Sequence, residues 1–263
     1  MNPAAPLRSR LAPTPSGYLH LGNAVNFLIT WLMVRQAGGT LKLRIDDADA
    51  DRTQPGYIED IFRQLDWLGI TWDEGPAGPD DFHRHHSQLQ RIGRYWAVLG
   101  QLAATASLFP CTCSRKAIRE HSTSGLYPGT CRGRREPPAG EHAIRIAVPA
   151  ETMVLVGEDA VALGALMGDF VLWRRDNQPA YQLASLVDDL DDRITCIVRG
   201  MDLLPASGRT KEKAPISRGF RYIAGLSRIM RWCRDQESNQ GHSDFQSDAL
   251  PAELSRHESG DIY

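Results

Sequence analysis

Several things are scarce in this sequence. None of its 263 residues falls in an apolar run approaching the roughly 20 that would cross a bilayer. Its opening, MNPAAPLRSR, has no apolar core of the kind that marks a secretory leader. The two absences exclude a helical membrane protein and point to a cytoplasmic one. Cysteine is sparse as well: five residues, an odd number, two of them in CTC. That is a poor basis for a disulfide framework and a better one for a metal site in a reducing compartment. Neither sign of charge dominates, because 30 Lys and Arg stand against 32 Asp and Glu for a net charge of -2. An RNA partner would therefore have to be met by local patches rather than by the field of the whole molecule. What remains is ordinary globular composition, 42% hydrophobic and 24% charged. The length suits one large domain, or a principal domain carrying a smaller insert.

Along the chain, extended and helical patterns alternate. LRSRLAP reads as a strand, NAVNFLITWLMVRQ as a helix stopped at Gly38-Gly39, TLKLRID as a strand, and PGYIEDIFRQLDWLG as a helix opened by proline and closed by glycine. ITW reads as a short strand and SQLQRIGRYWAVLGQLAATAS as a further helix. LFPCTCS enters a cysteine-bearing excursion that returns at GEHAIRIAVP, and the segment from GDFVLW to LLP reads as strand, turn, helix, strand and helix start. The alternation predicts an α/β fold, a parallel sheet covered by helices on both faces. After Ser207 the character changes. Residues 209–234 hold eight Arg or Lys against Glu212, with Ile216, Phe220, Ile223, Ile229 and Met230 spaced for a basic amphipathic helix; residues 235–263 hold seven acids against one arginine and are expected not to pack.

The stretch APTPSGYLHLGN, residues 12–23, lies where the first strand turns into the first helix. Free amides and the helix dipole favour an anion at such a place, Gly17 and Gly22 let a ligand approach the backbone, and His20 can donate to a phosphate oxygen. An ordinary Pro-Gly turn is the competing reading. Cys111, Cys113 and Cys131 supply three soft ligands for a tetrahedral zinc, with His121, Tyr127 or His142 available as the fourth. HRHH, residues 83–86, reads as an exposed helix start, Cys196 as a core residue, and Cys233 has no evident partner. SRKAIRE, RGRR at 132–135 and WRR at 173–175 are the local basic clusters suited to an RNA backbone.

Five blocks, RLAPTPSGYLHLGN, LKLRIDDADADR, YPGTCRGR, AYQLASLVDDLDD and IVRGMDLLPAS, occur in that order. Together they resemble the class I aminoacyl-tRNA synthetases, in the glutamate-specific form of the first signature, and within them the glutamyl-queuosine branch. The likeness runs from residue 8 to 207, roughly three quarters of the chain. It implies a Rossmann-like doubly wound core over residues 1–207 with a small zinc-binding insert at about 109–142, followed by an atypical segment, 208–263. It also implies a monomeric ligase that activates glutamate with ATP, accompanied by Mg2+, and transfers it to queuosine in the anticodon of tRNA(Asp). His20 and Asn23 would then be catalytic, meeting ATP together with Gly17 and Gly22. Glutamate would lie against Arg10, Leu11, Ala12, Pro13, Thr14, Asp46, Tyr181 and Arg199. The resemblance makes Tyr127 the fourth ligand of one structural zinc, beside Cys111, Cys113 and Cys131.

Three departures stand out. Asn23 replaces the second histidine of the signature, and Asp46 replaces a glutamate, keeping the charge with one methylene less. The family's second signature, a KMSKS or KLSKS lysine loop, is absent; GRTKEKAPISR offers Lys211 and Lys213 without its spacing. A core that only binds nucleotide or RNA is therefore an alternative reading, and a synthetase charging the 3′ end of tRNA(Glu) a further one. The acids of VDDLDD are too many for all to act and read mostly as solvated, and Asp47 and Asp49 read as turn acids.

Overall fold

In the computed structural model, residues 6–156, 159–200 and 220–222 are described. Strand β1 (Arg8–Leu11) runs through the loop into helix α1 (Leu21–Gln36), which returns the chain to β2 (Thr40–Leu43). The strands pair in parallel, Arg8 opposite Thr40 through Leu11 opposite Leu43. Parallel neighbours need such a crossover, and the α1 helix supplies it. Gly38, at φ +60, turns the chain out of α1 in a conformation that suits glycine. Helix α2 (Pro55–Trp67) follows, with proline in its first turn.

The chain then returns beside β2, where Asp73 N donates to Leu41 O and Leu43 N to Glu74 O, each at 2.8 Å. On the opposite side of β1, the Arg8 carbonyl accepts from the amides of Thr195 (2.9 Å) and Cys196 (3.0 Å). The spatial order is thus residues 72–74, β2, β1, 195–196: third, second, first, fourth. That is the order of a Rossmann-like half, whose ligands lie beyond the strand ends where the order reverses. Leu41, Leu43, Ile45, Ile58, Ile61 and Leu65 form the buried core between these strands and helices.

The next elements are α3 (Pro79–His85), α4 (Ile92–Thr105) and β3 (Leu108–Cys111), then α5 (Arg115–His121) and β4 (Ala143–Ile146). A hairpin of β5 (Met153–Val156) and β6 (Asp159–Ala162) leads to α6 (Leu163–Met167), β7 (Phe170–Trp173) and α7 (Tyr181–Asp191). Strand β8 (Val198–Gly200) pairs antiparallel with β9 (Phe220–Tyr222). β3, β4 and β7 make an antiparallel sheet in that order. Tyr95 and Leu99 of α4 and Leu183 and Val187 of α7 share a core with Leu172 and Trp173 of this sheet.

Four sequence expectations need correction. The parallel arrangement takes in residues 195–196 beside β1 but not β3 to β7, which pair antiparallel among themselves. ITW makes no named strand; the parallel contact beside β2 comes slightly later, as the bridge Lys42 to Glu74. HRHH closes a helix rather than opening one, for His83 and His85 lie in the last turn of α3. Phe220, expected on a basic helix, lies in β9. The rest of that helix, Lys211, Lys213, Cys233 and the acidic tail fall outside the described residues.

Candidate functional site

The loop between β1 and α1 is pegged from three sides. Arg44 N donates to Leu11 O and Asp46 N to Pro13 O, each at 2.9 Å, which continues the parallel ladder past the strands. Leu19 N donates to the buried Asp60 carboxylate at 3.2 Å. His20 caps α1: its Nδ1 accepts from Gly22 N at 3.1 Å, while Asn23 Oδ1 accepts from His20 N at 3.1 Å. The capping box fixes both side chains. With Nδ1 occupied as acceptor, the proton of a neutral imidazole sits on Nε2, so the exposed ring presents a donor. Asn23, its oxygen used, has its NH2 left to donate. A Cβ at Gly22 would lie 3.0 Å from His20 Cε1, so glycine makes room for the imidazole; one at Gly17 would meet nothing within 4 Å, so the fold itself does not demand glycine there.

Behind the loop is a buried charge network. Arg10, 4% exposed, donates from Nε to Asp189 Oδ1 at 2.9 Å. Arg44 donates from Nη1 to the same oxygen at 2.7 Å, and from Nε and Nη2 to the two oxygens of Asp46 at 2.6 and 3.2 Å. Ser185 Oγ accepts from Arg44 Nη2 at 3.1 Å. Asp188 accepts from Gln88 Nε2 at 2.7 Å, Arg91 Nε at 2.9 Å and Tyr95 Oη at 3.0 Å. Arg10, Arg44 and Arg91 thus balance Asp46, Asp188 and Asp189 in charge, as burial requires.

The two adjacent carboxylates differ. Burial opposes ionisation of Asp189, but Arg10 and Arg44 more than offset it and hold its pKa below the usual range. Burial wins at Asp188 over Arg44, Gln88 and Arg91, and its pKa is raised. Two expectations therefore fail. Asp188 and Asp189 are buried rather than solvated, because successive helical positions on α7 point them at cations from distant segments. Asp47 is more than a turn acid, since Ser87 Oγ and Gln88 N donate to it at 2.6 and 2.7 Å, and burial raises its pKa despite them. Asp49 does pair with a surface group, Arg174, at 3.0 Å.

Of the positions expected to meet glutamate, Arg10 and Asp46 share this one network through Asp189 and Arg44. Leu11 turns its side chain into the core, Pro13 is buried, Ala12 is half-buried and Thr14 is exposed. Tyr181, 44% exposed, begins α7. Arg199 lies in β8 opposite Arg221, and its side chain falls outside the described residues. A cavity of about 440 Å3 lined by Asp47, Thr53, Ile58, His83, Ser87 and Gln90 among others includes none of the expected residues. The loop and network, which hold the expected residues, are the better candidate. Arg44 and Ser185 lie inside two of the resembling blocks with no role assigned to them, and Gln88, Arg91 and Tyr95 lie in none.

The cysteines converge as expected. The sulfurs of Cys111, Cys113 and Cys131 lie within 4.8 Å of one another, Cys113 to Cys131 at 3.7 Å. Tyr127 Oη is 3.5 Å from Cys111 Sγ and 3.7 Å from Cys113 Sγ, and accepts from Cys131 N at 2.7 Å. Zinc–sulfur bonds of about 2.3 Å and a zinc–oxygen bond of about 2.0 Å give a tetrahedron with edges of about 3.8 Å between sulfurs and about 3.5 Å from sulfur to oxygen. The distances from Cys113 to Cys131 and from Tyr127 Oη to Cys111 and Cys113 match those edges. His121 and His142 instead turn Nδ1 to the carbonyls of Ala117 (2.8 Å) and Gly140 (3.1 Å). At Cys111, burial opposes ionisation, but Tyr127, the Cys113 amide and Arg145 outweigh it and lower the pKa to about 7. A thiol so tuned is ready to bind metal near neutrality.

The fold and the loop together define a class. Residues 6–210 match the profile of the tRNA synthetases class I (E and Q), catalytic domain, and the chain belongs to that family. More particularly, it is similar to the Glutamyl-Q tRNA(Asp) synthetase of Nitratidesulfovibrio vulgaris, 39% identical over 226 residues covering 77% of this chain and 68% of the relative. That of Methylococcus capsulatus is 40% identical over 214 residues, covering 79% and 67%. Among solved structures, the glutamate tRNA ligase of Elizabethkingia meningosepticum in complex with its amino acid aligns with a TM-score of 0.60 at 26% identity, over 75% of this chain and 44% of that one. The glutamate-tRNA synthetase of Elizabethkingia anophelis aligns with 0.61 at 26%, over 75% and 45%. The chain thus spans less than half the length of these solved relatives and about two thirds of the curated ones.

Proposed function

We propose that this chain is an ATP-dependent ligase that activates glutamate and transfers it to queuosine in the anticodon of tRNA(Asp). The observation that carries the reading is the His20–Asn23 capping pair, which leaves two outward donors at the N-terminus of α1, at the reversal point of the sheet. Attack of the glutamate carboxylate on the α-phosphorus of ATP builds negative charge on the phosphate oxygens and releases pyrophosphate. His20 Nε2–H, the Asn23 amide and the first amides of α1 meet that charge with donors already oriented, and preorganisation of this kind is a large part of catalysis. Mg2+ accompanies ATP.

Glutamate lies over the C-terminal end of β1, where Arg10 and Arg199 attract its side-chain carboxylate, Asp46 its ammonium group, and Tyr181 closes the site. Arg10 reaches it with the guanidinium nitrogen that Asp189 does not engage. Cys111, Cys113, Cys131 and Tyr127 hold one zinc ion, which ties the excursion between β3 and β4 to the sheet. The exposed cations of the same excursion, Arg115, Lys116, Arg119, Arg134 and Arg135, meet RNA phosphates. The core spans residues 1–207, the insert about 109–142, and the protein acts as a cytoplasmic monomer. No helix among the described residues is long and apolar enough to cross a membrane.

The test takes the two half-reactions in turn. Glutamate should stimulate ATP–pyrophosphate exchange by the zinc-replete protein, and labelled glutamate should pass to tRNA(Asp) that carries queuosine but not to tRNA(Asp) lacking it. Exchange without transfer would refute the acceptor; binding of ATP without exchange would replace the ligase by a binding protein.

A further inference from the structure

The cysteine cluster has a neighbour that neither the motifs nor the proposed activity explains. Arg145, on β4, is 8% exposed, and its guanidinium carbon lies 4.1 Å from the centre of the Tyr127 ring. Nη1 donates to Asp169 O at 2.9 Å, a neutral acceptor, and Nε is buried without a hydrogen-bond partner. The Asp169 carboxylate is engaged elsewhere, by Arg132 Nε at 3.2 Å and Val148 N at 2.9 Å. Among the described residues Arg145 forms no ion pair with a carboxylate, although a buried cation with no counter-charge costs several kcal/mol. Arg44, by contrast, sits among three aspartates.

The missing counter-charge is supplied by arithmetic at the cluster. Three thiolates and one divalent zinc sum to -1, and a phenolate from Tyr127 would make the sum -2. The centre would thus be an anion inside the protein, and among the described residues the buried cation beside it is Arg145. A guanidinium stacked on an aromatic face is also attracted to the ring, the more so away from water. We propose that Arg145 is the charge partner of the loaded zinc centre, a positioning residue that stabilises the metal-bound set and orients the Tyr127 ring without itself binding zinc. The inference rests on reading the cluster as a zinc site.

Charge balance makes a prediction that packing does not. In zinc-free protein Arg145 keeps only the Asp169 carbonyl, the Tyr127 ring and Cys111 beside it and meets no carboxylate among the described residues, so Arg145→Met should change thermal stability little. In zinc-loaded protein the same change should lower stability and weaken zinc binding. Competition against a chromophoric chelator should give a loss of about ten-fold or more in affinity, the range that follows removal of groups supporting metal ligands. The rise in melting temperature on adding zinc should shrink accordingly. Arg145→Lys, which keeps the charge, should retain most of the affinity, and it serves as the folded comparison should the methionine variant fail to fold. Cobalt in place of zinc gives a visible absorption spectrum that should alter in Arg145→Met and much less in Arg145→Lys. Equal losses in both variants would overturn the proposal in favour of packing, and so would unchanged zinc affinity in Arg145→Met. Wild-type protein that takes up no zinc would instead refute the zinc site.

Discussion

Replacing Asp189 by asparagine keeps the shape of the side chain and removes one negative charge from between two arginines. Arg10 and Arg44 both lie within 3 Å of Asp189 Oδ1, and neither can turn to water, their side chains being 4% and 6% exposed. Breaking a buried pair in this way typically costs about 3–5 kcal/mol. At about 2–4 °C per kcal/mol for a chain of this size, the melting temperature should fall by roughly 6–20 °C. Asp188→Asn is the internal comparison. Burial already disfavours the Asp188 charge, and its partner Arg91 has a 38% exposed side chain that also reaches Asp191 at 2.6 Å. The neutral isostere should cost clearly less there.

Acid should reveal the difference in sign. The pKa of Asp189 is lowered in the folded state, so its contribution is present above the unfolded value, about 3.9, and is lost as pH falls through the folded one. Asp188 is raised, so the folded state takes up its proton first, and acidification through that window favours folding. Circular dichroism melts of the three proteins from pH 7 to pH 3 would show the gap between wild type and Asp189→Asn closing only towards the acid end. A melting temperature for Asp189→Asn within about 2 °C of wild type at pH 7, or a larger loss in Asp188→Asn, would refute the account of the network.

Two further changes probe the site directly. His20→Ala removes the outward Nε2 donor and one half of the capping box. It should lower the rate of ATP–pyrophosphate exchange by about 100-fold, with a smaller change in glutamate KM; an unchanged rate would remove His20 from the phosphate site. Tyr127→Phe deletes the single oxygen at the cysteine cluster and should leave bound zinc more easily stripped by chelators at pH 7.5, as measured by metal analysis after dialysis. Equal retention would exclude the phenol as a ligand.

The elements nearest the loop were legible because their signals are local. Apolar spacing marks α1 and α2, a proline opens α2, Gly38 closes α1, and CTC with a later cysteine marks the cysteine cluster. In the later half β4 and β7 were legible as strands but not in direction, which depends on connections that a periodicity does not encode, and the β5–β6 hairpin was not read at all. Least legible were the acids of α7. A carboxylate is buried or solvated according to where its cation comes from, and those of Asp189 lie 179 residues away in Arg10 and 145 away in Arg44. Arg145 was hidden for the same reason, its role set by a ring 18 positions earlier that only folding brings beneath it.

Asp46 shows how the two kinds of information combine. Its shortness is visible in the sequence, but the consequence depends on the extended backbone after β2. There, the amides of Arg44 and Asp46 both donate towards the β1 loop, so residues two apart present their side chains to one face. At that spacing an aspartate closes on the guanidinium of Arg44 with both oxygens. A glutamate, one methylene longer, would have to fold back to make the same pair or extend beyond it towards a ligand. The length of the acid at this position therefore decides how closely it holds Arg44, a consequence that neither the charge count nor the motif reveals.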